Sequence, residues 1–336
     1  MLVWLFWACS KAAVPEVSPP ATEVEPTVTP EPTVTPEPMP VRSPDGVAME
    51  PCLEATVHGM ACVPGGAFIR GSSEQHLCHQ GENRRAGTVW GPPEEIWQQT
   101  VYMDRTEVTY GAYQGCVDFG YCRPSKPSYN DYDRAEQPMV GMTWFDAKQF
   151  CESQGKHLPT EAEWELAARG SDGSQGPFGD DPTTCEQAVI RDDSGRSCGV
   201  PKAAPSPEKG RTWEVGLKPA GLYGLFDMVG NAEEWVADWY SKEYADCGSA
   251  CQGTSPRGPC DGAEECPGYT QKMVKGGSWY WTGDHARGWH RRPHFPANRP
   301  YHHFGFRCAA TLDEARALVS AADLSIEIRE GEAVVP

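Results

Sequence analysis

The chain predicts an irregular, loop-rich α+β fold stapled by disulfides, and three observations carry that prediction. First, 35 glycines, 31 prolines and 12 tryptophans in 336 residues describe a chain broken by turns and packed on aromatics, not a helical bundle. Second, 14 cysteines occur without a single CxxC pair, so crosslinks in an oxidising compartment account for them better than metal sites do. Third, short capped helical segments are interleaved with strand-like alternation. The length allows one large domain or two small ones. A formal charge of −18 excludes nucleic acid and anionic membrane surface as partners, because phosphates are repelled.

Residues 1–9 form an apolar run, MLVWLFWA, ending at Cys9. It is too short to span a bilayer and resembles the end of a bacterial lipoprotein signal, whose cysteine is lipidated after cleavage. It departs from that pattern in having no Lys or Arg before the run and a bulky Trp7 before Ala8; an ordinary export signal is the alternative. The expectation is a lipid anchor at Cys9 holding the protein to a membrane of the bacterial cell envelope, as an outer-membrane lipoprotein or otherwise secreted or periplasmic. Residues 10–50 read as a disordered Pro/Thr/Glu linker in which TVTPEP occurs twice, Thr27–Pro32 and Thr33–Pro38. Proline removes donors and favours extended polyproline II, so the tether keeps a folded head roughly 100 Å or less from its anchor.

The folded domain is expected over residues 51–311. Met60 to Ser72 reads as a strand, a Pro-Gly-Gly turn and a second strand; Gln98 to Val108 alternates as another. Cys116 and Cys122 bracket a short turn and are expected to bond. Thr143 caps a helix carrying Asp146, Ala147, Phe150 and Cys151 and ended by Gly155. Thr160 and Glu163 form a capping box for a second helix, with Trp164, Ala167 and Ala168 as its apolar stripe and Gly170 as its stop. Phe178 to Lys218 is irregular, with Cys185 and Cys198 closing a loop. An insertion rich in Gly, Pro and acidic residues holds Cys247, Cys251, Cys260 and Cys266, and crosslinks must shape it because apolar burial cannot. Residues 312–336 read as a short helix and tail.

The chain is organised around Gly221–Tyr240, GLYGLFDMVGNAEEWVADWY. Its glycines permit tight turns, Gly230-Asn231 tolerates positive φ, and Asp227 and Glu234 flank that turn. Two readings are open: the carboxylates converge on a hard cation such as Ca²⁺, or they satisfy turn amides while Trp235, Trp239 and Tyr240 fill a core.

This segment, with PGGAFIRGS, the Asp104, Glu107, Val108, Thr109 set, LPTEAEWELAARG, KGGSW and GFRCA, resembles the formylglycine-generating enzyme, or sulfatase-modifying factor, family from about Val63 to Ala310. The resemblance implies a loop-rich α+β domain related to C-type lectins and a disulfide between Cys151 and Cys308. Closing so long a loop is worth about 5 kcal/mol in the chain-entropy model. It also implies calcium held by Asp227, Gly230, Ala232 and Glu234, and a second calcium site near Ala188 and Val189 whose asparagine is missing.

The family oxidises a substrate cysteine with Cu(I) held by two thiolates in GGSxxCxxxxC, and soft thiolates suit that ion. Here those two positions hold Trp281 and Ala286, so no catalytic residue is assigned and neither copper nor iron is expected. Five of nine histidines lie between His285 and His303, but Pro293 breaks the helix that an HxxxH pair of His290 and His294 needs, and His76 to Glu82 only loosely echoes HxxxHxE. Ser278, Trp279, Trp281, Arg287, Trp289, His290 and Arg291 remain as a candidate ligand cleft for a peptide, glycan or protein; the competing reading is core packing. Thirteen cysteines beyond Cys9 leave one without an intrachain partner, and Cys78 is the candidate. The function expected is a non-catalytic binding or structural module of an exported, anchored protein. The alternatives are a divergent formylglycine-generating oxidase or non-haem metal-dependent oxidoreductase, and a subunit that partners a catalytic paralogue.

Overall fold

A computed structural model describes residues 41–73, 91–193, 195–199, 210–297 and 302–332. Cys9, the TVTPEP repeat, Cys78, His76 and His79 lie outside them. One compact unit begins at Pro40: Met49 is buried and Ser43 bonds to Val47, so the last stretch of the expected linker belongs to the body.

Strands β1 (Met60–Val63) and β2 (Gly66–Arg70) flank the Pro-Gly-Gly link as expected, yet they do not pair with each other. β1 joins β4 (Val101–Asp104) and, across it, β9 (Ala309–Thr311); β2 pairs with β3 (Glu94–Gln98). The link therefore passes the chain from one sheet to another. Gly65 is required there, since a Cβ would lie 2.5 Å from the Thr100 nitrogen. The single strand read over Gln98–Val108 is corrected: β3 ends at Gln98, and only Val101–Asp104 continues as strand.

Helix α1 (Tyr110–Asp118), capped by Thr109, escaped the sequence reading because it has no acidic residue in its first turn, no basic residue in its last, and two glycines, Gly111 and Gly115, within it. Helices α2 (Trp144–Ser153) and α3 (Glu161–Arg169) start at Thr143 and Thr160 with complete capping boxes, and Gly155 (φ 68°) and Gly170 (φ 73°) end them. Every residue of α3 is buried, its three glutamates included. Glu161 is gripped by Arg291 at 2.6 and 3.1 Å, and Glu165 by Lys275 at 2.9 Å and by Arg169. Burial opposes ionisation of Glu165, but Lys275 and Arg169 outweigh it and hold the carboxyl at about 2.

The central sheet has the order β7 (Arg292–His294), β6 (Lys272–Lys275), β5 (Glu233–Trp239), β8 (Phe304–Gly305), with β5 and β8 parallel. α3 packs over β2, β3, β5 and β6, with Trp164 and Leu166 in one core cluster with Phe68, Ile96, Met103 and Val236, while α1 packs on α2 and α2 on β5, with Tyr113, Trp144, Phe150, Trp235 and Phe306 in a second. Each such side chain contributes about 1.5–3 kcal/mol by burial. α4 runs from Leu312 to Glu332, longer than expected, and begins against β4 and β9. Six disulfides join Cys52–Cys62, Cys116–Cys122, Cys151–Cys308, Cys185–Cys198, Cys247–Cys251 and Cys260–Cys266. They place the fold in an oxidising, extracytoplasmic compartment. Among the described residues no helix is long and apolar enough to cross a membrane.

Candidate functional site

The Gly-Asn turn enters β5 with Asp227 (φ 53°), Gly230 (φ 79°) and Asn231 (φ 53°) in the left-handed region. Gly230 lies so close to the segment at Ala188 and Val189 that a Cβ would sit 2.8 Å from the Val189 carbonyl oxygen. The Asn231 amide donates to that same carbonyl at 2.8 Å, so the turn and the 188–189 segment are locked together. Asn231 is wholly buried; its Oδ1 accepts from the Trp213 backbone N–H and its Nδ2 donates to Glu107.

Glu107, noted at first only within a strand motif, is the carboxylate that the sequence reading left out of the site. Its Oε1 accepts from the Ala232 amide at 3.2 Å. Glu234 is buried, both its oxygens taken by Arg307 at 2.7 and 2.8 Å, and Trp164 Nε1 donates to it at 2.8 Å. Asp227 accepts from the Gly216 amide at 2.7 Å. Burial, followed by the charges of Asp227 and Glu234, pushes the Glu107 carboxyl well above its ordinary value. Burial raises Asp227 as well. Three buried carboxyl groups thus lie about one guanidinium that hydrogen-bonds Glu234 alone, and burial with mutual repulsion resists full ionisation of the other two. Among the described residues no group of three His, Cys, Asp or Glu side chains forms a metal-ligand cluster, so a cation here relies on backbone oxygens too.

The segment after β6 turns at Gly276 (φ 87°) and Gly277 (φ 68°), where a Cβ would meet the Met228 and His285 carbonyl oxygens at 2.9 and 2.5 Å. The residues of the expected cleft then separate. Ser278 and Trp279 are buried; Trp279 packs with Tyr132, Val140 and Val189. Arg291 leaves for Glu161, lying 4.5 Å over the Tyr244 ring, and Trp289 donates to Gln175. Arg287 is buried and reaches the Asp180 carbonyl at 3.4 Å. At the two positions of the family's thiol pair, Ala286 is buried beside Ala188, Ile190 and Val229, while the half-buried Trp281 stacks on His285 with centroids 5.1 Å apart. The Trp281 Nε1 is buried without a hydrogen-bond partner. These residues do not fit Cu(I), which needs thiolates that neither an indole nor a methyl supplies.

What the fold does bring together is a half-exposed surface of rings. Tyr280 lies edge-on to Trp281 at 4.9 Å and 5.8 Å from His302, which in turn meets Tyr129 at 4.7 Å. The Arg196 guanidinium lies 3.6 Å over Tyr280 and Arg292 lies 5.1 Å over Trp281. His290 meets the edge of His285 at 5.3 Å. His294 belongs to β7, so the HxxxH spacing falls on a strand and no helical pair forms. Burial, then Arg292, lowers His294 to about 4 and His303 well below its ordinary value, leaving both neutral at pH 7. Arg196 and Tyr129 carry no motif, and only the fold assigns them here.

The sequence model of the sulfatase-modifying factor enzyme 1-like domain matches residues 46–312. The chain is 33% identical over 198 residues to the formylglycine-generating enzyme of Thermomonospora curvata, covering 56% of this chain and 60% of that one. It is 34% identical over 181 residues to the serine/threonine-protein kinase pkn1 of Chlamydia pneumoniae, covering 53% of this chain and 25% of that one. It therefore spans less than two thirds of the length of either relative. Two solved structures share the fold: Treponema denticola variable protein 1 (TM-score 0.53, 19% identity, 76% of this chain and 97% of that one) and PvdO from Pseudomonas aeruginosa (TM-score 0.53, 21% identity, 74% and 93%). With its motifs on the turns and helices described above and the matched region spanning most of its length, the chain belongs to the sulfatase-modifying factor enzyme 1-like family, the family of the formylglycine-generating enzymes.

Proposed function

We propose that this chain is a non-catalytic binding module of that family, exported and anchored at the cell envelope, that takes a peptide, glycan or protein ligand on its aromatic surface. One observation carries the reading: Trp281 and Ala286 occupy the thiol positions, and six disulfides account for every cysteine among the described residues. Copper-dependent oxidation of a thiol has no thiolate pair there to hold its metal. Tyr280, Trp281 and His302 with Arg196 and Arg292 supply ring faces and two guanidinium groups in their place, a combination suited to an extended polar ligand. The test incubates the purified chain with copper and a cysteine-containing sulfatase peptide. No aldehyde above blank is the expected result, and turnover would return the protein to the oxidases.

Calcium at the Gly-Asn turn belongs to the same reading. Asp227, with the carbonyls of Gly230 and Ala232, would supply hard oxygen, Glu234 would share with the ion an oxygen that Arg307 now holds, and a cation would let Glu107 and Asp227 ionise at lower pH. The ion would act as a structural clamp. The apolar run ending at Cys9 supports lipidation there, which mass spectrometry of the mature N-terminus tests; an unmodified, uncleaved terminus argues against it.

A further inference from the structure

Away from the aromatic surface, a cavity of about 670 Å³ opens where α3 and α4 begin, bounded by Gln98, His157, Ser255 and Glu314 among others. None of its lining residues belongs to the surface proposed above, and its size is that of a small-molecule site. We propose that it binds an alkylammonium group, presented by a free polyamine or by the lysine side chain of a peptide.

The first argument is the charge arrangement. Three of the cations in or beside the wall are each shared by two carboxylates. His157 bridges Glu163 at 3.1 Å and Glu314 at 2.7 Å. Arg316 bridges Glu50 at 2.6 Å and Asp313 at 2.7 Å. Lys148 bridges Glu152 at 2.6 Å and Glu264 at 3.2 Å. Each bridge carries one more negative charge than positive; Arg257, exposed in the lining, offsets one of the three, and Lys272, 4.0 Å over the Trp144 ring, is answered first by Asp238. The count depends on a protonated His157: burial works against its charge, yet Glu163 and Glu314 outweigh it and raise the pKa to about 10. A partly enclosed polar cavity with surplus carboxylate concentrates cations and repels anions.

The second argument is independent of charge. Gln98 stands in the wall, 2% exposed, and its Oε1 is buried with no hydrogen-bond partner. Its Nε2 is already used on the Gln99 carbonyl at 3.4 Å. Once the Gln98 side chain turns toward the cavity, this acceptor would meet a ligand rich in donors, and an ammonium group brings three of them without an acceptor. A carboxylate or phosphate ligand would meet that wall with the wrong sign and the wrong hydrogen-bonding groups. An apolar ligand would leave the acceptors desolvated and unpaired.

The experiment titrates the full chain with spermidine, with the tripeptide Gly-Lys-Gly and with N-acetylglutamate, following amide chemical shifts and heats. Shifts centred on Gln98, Thr254 and Glu152 for either amine support the site, and the tighter of the two identifies the source. Glu50→Gln combined with Glu152→Gln, both exposed, should keep the melting curve and weaken the amine about tenfold, as expected for lost charged contacts. Gln98→Met should weaken it by a comparable factor. Absence of binding by both amines overturns the proposal, as do equally tight binding of N-acetylglutamate or shifts confined to Tyr280 and Trp281. The oxidase assay is blind to this cavity, so the two proposals fail separately.

Discussion

Arg307 closes on Glu234 through two hydrogen bonds, Nη2 to Oε1 at 2.7 Å and Nε to Oε2 at 2.8 Å, with both side chains buried. The same guanidinium also donates to the Asp104 and Phe226 carbonyls, so a residue beside the Cys151–Cys308 disulfide holds the Gly-Asn turn against β4. Arg307→Met strands Glu234 next to Glu107 and Asp227. The expected loss is about 3–5 kcal/mol, because a buried charge is left uncompensated. Arg307→Lys should recover only part of it, since an ammonium cannot make the planar double contact. Urea denaturation of the three proteins checks both.

Calcium should raise the melting temperature, and a chelator should lower it. A ligand at a hundredfold excess over its dissociation constant adds about 2.7 kcal/mol to stability. Asp227→Ala should abolish the calcium-dependent part of the shift. A calorimetric scan that is indifferent to both calcium and chelator would remove the ion from the turn.

Stability should depend on pH at both ends of the range. His157 is raised from 6.5 to about 10, so its bridge is fully in place below 6.5 and is lost as pH climbs through 10. His294 is lowered from 6.5 to about 4, so the neutral ring favours the fold above 6.5 and that contribution is lost as pH falls toward 4. Chemical denaturation across pH should give a plateau with both limbs. His157→Gln should flatten the alkaline limb and also weaken the acid one, because Glu163 and Glu314 lose the charge that lowers them, whereas His294→Gln should reduce the acid limb only in part, since His303 titrates there too.

Gly230→Ala forces a side chain to φ 79° and to 2.8 Å from the Val189 oxygen. At least about 2 kcal/mol of destabilisation is expected, from strain added to displacement of a packed segment. Gly46, at φ 87° with open space around it, should tolerate alanine better, and the pair measured together separates crowding from backbone strain.

Local chemistry made α2 and α3 legible, because Thr143 with Asp146 and Thr160 with Glu163 satisfy helix-start amides within four residues. Short-range cysteine pairing was legible for the same reason, as at Cys116–Cys122. α1 was not, lacking an acidic first turn and a basic last one, and β5 was hidden because Glu233, Glu234 and Asp238 spoil the alternation of a strand that is buried almost throughout. Those acids are tolerated only because distant residues answer them: Arg292 for Glu233 and Arg307 for Glu234.

The sequence by itself determined the family, the capped helices, the oxidising compartment and the replacement of both thiol positions, since each is written in residue type and short spacing. Only the tertiary structure decided that Arg291 and Trp289 serve Glu161 and Gln175, away from the ring surface, that Glu107 joins the turn, and that Arg196 lies on Tyr280. The physical reason is range: caps and turns close within a few residues, whereas a buried charge takes whatever partner the packed chain brings within about 3 Å.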